Sequence, residues 1–96
     1  MRGYHGGVLT LEFTIEPFVE GQPGPHVLRA VAAVEQLGYS VEFGPFGSSC
    51  SVPDDRAELV AGAIFREAFA NGASVVSLSA ERAADDNNEP AAPGLA

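Results

Sequence analysis

The most regular stretch of the chain runs from Leu9 to Glu16. Leu9, Leu11, Phe13 and Ile15 alternate there with Thr10, Glu12, Thr14 and Glu16. A period of two predicts a strand with one apolar and one polar face. Pro17 has no N–H to give to a ladder and ends it. Phe18 to Pro25 reads as a loop by its Gly and Pro content, and Pro25 suits the first position of a helix. Val27, Ala30, Val31, Val34 and Leu37 then recur at helical spacing, with Arg29, Glu35 and Gln36 facing out. Gly38 stands where a left-handed helix stop belongs.

Tyr39, Val41 and Phe43 alternate with Ser40 and Glu42, which predicts a second strand. Gly44 to Gly47 is a turn, and Ser48 to Val52 a short third strand paired with the second as a hairpin. Asp54 or Asp55 is the expected N-cap of the next helix, and Asp55 with Glu58 has the spacing of a capping box. That helix extends from about Arg56 to Ala70 on a stripe of Val60, Ala63, Ile64 and Ala68, widened by Leu59, Phe65 and Phe69. Asn71-Gly72 ends it. In Ser74 to Glu81, Val76 and Leu78 alternate with Ser77 and Ser79, a fourth strand. Right-handed crossovers and one hairpin fold this order into an α+β, ferredoxin-like βαββαβ domain. Its four-stranded antiparallel sheet carries both helices on one face, with the first and third strands central. Residues 8–82 make up the domain. The Gly-rich segment 1–7 reads as a flexible arm, and 83–96, with Leu95 its one large apolar residue, as a disordered tail.

Charge narrows the function. The formal net charge is −8, the five basic residues are all arginine, and they are scattered along the 96-residue chain. No basic footprint exists to release counterions from a nucleic acid, and an anionic membrane surface would repel the protein. A cationic ligand is favoured over an anionic one. No stretch approaches the ~20 apolar residues of a spanning helix. The first residues lack the apolar run of a secretory leader, so a cytoplasmic location is expected. The single cysteine, Cys50, allows no internal disulfide. As a nucleophile it would need a nearby histidine or positive field, and it reads instead as a quiet sheet cysteine. His26 reads as a solvated residue in a first helical turn and His5 as part of the arm. The acidic run Asp85–Glu89 lacks the glycine and spacing of a calcium loop. No catalytic residue, metal site or cofactor is therefore expected.

The helix-free face of the sheet holds the remaining chemistry. By alternation it carries Thr10, Glu12, Thr14, Glu16, Ser40, Glu42, Ser77, Ser79 and Glu81. The third strand adds Ser49 and Ser51, or Ser48 and Cys50 if the register slips by one. Serine is a mediocre strand former, so five serines in two strands suit a polar pocket or a close subunit contact better than a plain solvated face. Phe18, Pro45 and Phe46, in loops beside the sheet, are placed to pack locally or to stack on a heteroaromatic ring.

Three passages together resemble the small thiamine-binding proteins of the YkoF-like, MTH-type superfamily: FTIEPF (Phe13–Phe18), LGYSVEFGPFGSS (Leu37–Ser49) and AIFREAFANGASVVSLSAER (Ala63–Arg82). The resemblance covers the span from Glu12 to Arg82. It implies a non-enzymatic protein that binds thiamine or its hydroxymethylpyrimidine part on the sheet, near the third strand and against another subunit. It implies further that Ser48, Ser49 and Ser51 match the small polar run after the Gly-Pro turn and that Glu16 closes the first strand. Where the family has an acid after its strand or an Arg-Gly pair, this chain has Val52-Pro53-Asp54. With the neighbouring groups of the face added, the expected ligand-binding set is Glu16, Phe18, Glu42, Phe46, Ser48, Ser49, Ser51 and Ser77.

Two other users of this topology fit less well. Acylphosphatases resemble a pattern with an arginine in the loop after the first strand, and Phe18 to Pro25 has none. RNA-recognition modules stack bases on central-strand aromatics in a basic setting, whereas Phe13 points to the covered face here. Edge strands and an open face predict a homo-oligomer, dimer or tetramer, joined through the sheet. The alternative to a small-molecule binder is a structural or regulatory module whose open face docks a protein partner.

Overall fold

A computed structural model describes residues 7–18, 21–44 and 47–82. The expected tail 83–96, nearly all of the arm 1–7, and Pro45 and Phe46 lie outside them. The elements are β1 (Val8–Glu16), α1 (Pro25–Gln36), β2 (Glu42–Gly44), β3 (Gly47–Pro53), a 3-10 turn (Asp54–Arg56), α2 (Ala57–Ala70) and β4 (Val75–Arg82). All pairings are antiparallel, in the order β2-β3-β1-β4. The ferredoxin-like arrangement predicted from the pattern is the one observed.

Register decides which residues meet the helices. Leu11 lies opposite Cys50 and Phe13 opposite Ser48 on β3, while Phe13 faces Leu78 and Ile15 faces Val76 on β4. Side chains alternate across a strand, so Leu11, Phe13, Ile15, Cys50 and Val52 share the covered side. They form the core with Ala30 and Val34 of α1 and Val60, Ile64 and Ala68 of α2. Fully buried alanines at 30 and 68 let the helices approach closely. At one end of the sheet, the Ser74 backbone N–H and hydroxyl both donate to the Glu16 carbonyl, at 2.7 and 3.2 Å, tying the start of β4 to the end of β1. Gly38, at φ +102°, makes the left-handed stop after α1.

Four expectations need correcting. The second strand is shorter than Tyr39–Phe43. Tyr39 and Val41 pack against the core as connecting chain, and only Glu42–Gly44 pair with β3. Phe43 belongs to the covered side by register but is 62% exposed, because it sits on the edge strand beyond the cover of the helices. No aspartate caps α2: a 3-10 turn absorbs Asp54 and Asp55, and no side-chain cap bond forms at either helix start. The Asp54 carboxylate is instead held by Arg82, with Nη1 donating to Oδ2 at 2.7 Å. His26 is not solvated. It is 7% exposed, and its ring nitrogen Nε2 donates to the Pro17 carbonyl at 2.6 Å, pinning the loop between β1 and α1 to the helix.

Candidate functional site

The open face is built in rows by strand pairing. Glu42 pairs with Ser49, Ser49 with Glu12, and Glu12 with Ser79, which gives one line of side chains across all four strands. Neighbouring strands lie about 4.8 Å apart, so the two glutamates flank Ser49 at a Cα separation of roughly 10 Å. That gap accommodates a flat ring with a carboxylate at each edge and a hydroxyl beneath it.

The next row is lower. Gly44 pairs with Gly47 at the neck of the hairpin, and Thr14 with Ser77. A Cβ on Gly47 would stand 2.9 Å from both the Phe13 carbonyl oxygen and the Thr14 Cγ2 methyl, so only glycine allows this backbone approach. Two residues without side chains beside a line of glutamate and serine leave a depression. The resulting cavity measures about 530 Å³ and is lined by Glu12, Thr14, Glu42, Gly44, Gly47, Ser49, Ser77 and Ser79, with Phe13, Phe43, Ser48 and Leu78 around them. Its volume lies within the range of small-molecule sites.

A second cavity of about 770 Å³ adjoins it at the same end of the sheet. It is bounded by Ile15, Glu16, Pro17 and Phe18 at the exit of β1, by Pro23, Gly24 and Val27 at the start of α1, and by Phe43. The His26 bond to Pro17 shapes its wall, and a Cβ on Gly24 would strike the His26 ring at 2.7 Å. Phe18 is 76% exposed and Phe43 62%, so the two present open aromatic faces to this second cavity.

The predicted ligand-binding residues divide between these places. Glu42, Ser49 and Ser77 gather in the polar depression, whereas Glu16 and Phe18 line the apolar cleft. Ser51 shares the open face but lies in the row of Thr10 and Glu81, beyond the depression. Ser48 points to the covered side and is buried, lying at the boundary of both cavities. The register thus resolves the third strand in favour of Ser49 and Ser51 on the open face, with Ser48 and Cys50 beneath. Phe46 lies outside the described residues. Glu12, Thr14 and Ser79 were placed on this face by alternation but not chosen as ligand groups. Phe43 was missed because its pattern assigned it to the core.

The electrostatics of the open face are one-sided. Glu12, Glu16, Glu42 and Glu81 project from it, and among the described residues it carries no basic side chain. Arg82, at the end of β4, is turned to the opposite side toward Asp54. Carboxylates accept hydrogen bonds, and hydroxyls both accept and donate. Cys50 is buried on the far side, and desolvation pushes its thiol above the ordinary 9.0, away from the thiolate form that a nucleophile needs. Among the described residues no His, Cys, Asp and Glu side chains cluster as a metal site would require, and no helix is long and apolar enough to cross a membrane.

No protein-family model matches the chain, and no curated protein matches it in sequence. Its architecture is similar to that of two solved structures. One is a Bacillus cereus domain of unknown function, DUF77, with a TM-score of 0.60 and 20% identity over 83% of this chain and 78% of that one. The other is a thiamine biosynthesis/salvage candidate from Thermotoga maritima, with a TM-score of 0.58 and 22% identity over 77% of this chain and 82% of that one. At these identities the likeness is one of fold.

Proposed function

We propose that the protein is a non-enzymatic binder of thiamine or its hydroxymethylpyrimidine part, held on the open face of the sheet. The observation that carries this reading is the row Glu42–Ser49–Glu12 above a glycine floor, on a face without basic side chains. An aminopyrimidine edge mixes donors and acceptors. A glutamate accepts from its exocyclic amine, and serine hydroxyls serve its ring nitrogens. The permanent positive charge of thiazolium is favoured by four nearby carboxylates, and the exposed Phe18 offers it an aromatic face. The thiamine link of the Thermotoga maritima fold relative supports the same ligand class. A neighbouring subunit packed near this face would wall the depression further.

Phosphorylated thiamine is disfavoured, since phosphate calls for arginine, lysine or a helix N-terminus. The test is calorimetric titration with thiamine, hydroxymethylpyrimidine and thiamine diphosphate. The first two are expected to bind at micromolar affinity or better, and the third more weakly. Glu42→Gln or Ser49→Ala should weaken binding by about tenfold or more, the scale of one hydrogen bond to a charged group. Absence of heat from folded protein with all three ligands would overturn the proposal. The second reading, a protein-docking face, would then gain, and the exposed Val8 on β1 and Val75 on the edge strand β4 favour it.

A further inference from the structure

The outward face of α2 is more apolar than a solvated helix needs. Leu59, Phe65 and Phe69 are 46%, 40% and 51% exposed, opposite the buried stripe of Val60, Ala63, Ile64 and Ala68. Gly62 lies in the middle of that outer face, with open space where its Cβ would be. A glycine inside an exposed helix costs about 1 kcal/mol relative to alanine. Its recognised structural use is to let another backbone come close.

The spacing around Gly62 is symmetric. Leu59 and Phe65 lie three residues to either side of it, and Glu58 and Arg66 four to either side. Residues three and four apart share one face of a helix, so all five belong to a single surface. When a second copy of this helix is laid antiparallel across the first, with the two-fold axis through Gly62, each residue meets its mirror position. Glycine faces glycine, Leu59 of each copy faces Phe65 of the other, and Glu58 of each faces Arg66 of the other. An isologous interface requires this self-complementarity, of charge as well as of shape. Among the described residues Arg66 is committed only to a weak exposed contact, Nε donating to Glu67 at 3.3 Å.

We propose that the outer face of α2 is a self-association surface, and that its occupant is a second copy of α2 crossing antiparallel at Gly62. The surface lies on the helix layer, so pairing leaves both open sheet faces free. The proposal therefore stands or falls independently of any ligand. One helix pair covers less than the 1,200–2,000 Å² of a standard interface, so the affinity expected is weak, with a dissociation constant in roughly the micromolar range.

Sedimentation velocity of the intact protein over a dilution series, combined with charge exchange, provides the test. Glu58→Arg alone and Arg66→Glu alone should each lower the assembled mass by a factor of two at a concentration where the wild type is paired. The double variant Glu58→Arg/Arg66→Glu should restore it. Circular dichroism confirms that each exposed-site variant is folded. In parallel, Gly62→Cys should cross-link into a covalent dimer under mild oxidation, because a crossing at this point brings the two Cα atoms within the 4.4–6.8 Å that a disulfide spans. An assembled mass unchanged by both single charge reversals, or a double variant no better paired than the singles, would overturn the proposal. So would a protein that is monomeric at about 1 mM, far above the expected dissociation constant.

Discussion

Two glycine-to-alanine substitutions should move stability in opposite directions. At Gly47 the added methyl meets the Phe13 carbonyl oxygen and the Thr14 methyl at 2.9 Å each, with φ at +156°. Thr14 can turn its methyl aside. The Phe13 oxygen belongs to the backbone of a central strand and cannot move alone. Ordinary carbon–oxygen contacts lie near 3.3–3.6 Å, so β1 and the hairpin must part by several tenths of an ångström. Overpacking of this kind costs about 1–3 kcal/mol. At Gly62 a methyl meets nothing within 4 Å, and the helix gains about 1 kcal/mol of propensity. For a domain of this size 1 kcal/mol corresponds to roughly 4–8 °C in Tm, so a 2 kcal/mol loss at Gly47→Ala predicts a fall of about 8–16 °C and Gly62→Ala a rise of about 4–8 °C. Thermal melts by circular dichroism over a dilution series separate this effect from self-association, whose contribution falls with concentration. Urea titrations should show shifted midpoints with unchanged m-values. A Gly47→Ala protein that melts within a degree or two of wild type, or a fall at both sites, would refute the steric argument. It would also refute the account of the depression, whose floor depends on that glycine.

His26, Cys50 and Arg82 each give a further measurable outcome. His26→Ala removes the donor to the Pro17 carbonyl and empties a buried site, so urea denaturation should show a loss of about 1–3 kcal/mol, with His26→Asn intermediate. Cys50 should react slowly with a thiol reagent in native buffer and rapidly in denaturant, because it is buried and its thiol is pushed upward. Since its folded-state pKa lies above the unfolded one, its contribution is fully present below pH 9 and declines as pH rises through the folded value. Cys50→Ser should therefore flatten a stability–pH profile above pH 9 and leave its slope near neutrality unchanged. Arg82→Ala should cost about 1–3 kcal/mol in chemical denaturation, because it leaves the largely buried Asp54 carboxylate without its partner.

Element type and topology were legible in the chain because they rest on local periodicity. The alternation Leu9–Glu16 requires a strand wherever it is placed, and Gly38 and Gly72 occupy the positive φ that ends each helix. The polar composition of the open face was legible for the same reason, since the partners of Thr10, Glu12 and Thr14 inherit their side from the period of two. What alternation cannot supply is register, where one residue of slip exchanges the faces. The pairing of Leu11 with Cys50 and of Glu12 with Ser49 decided that Ser49 and not Ser48 joins the two glutamates. Extent of cover was also beyond the sequence. Phe43 and Val41 read alike in the pattern, yet an edge position leaves Phe43 open while Val41 packs against the core. His26 reads as a surface residue in any local window, and only the return of the loop places the Pro17 carbonyl beside its ring. The chain alone determined which residues are apolar, which are acidic and at what period they recur, because these are properties of neighbours in sequence. The tertiary structure decided which of them meet, because strand register and helix placement are set by contacts between residues far apart in the chain.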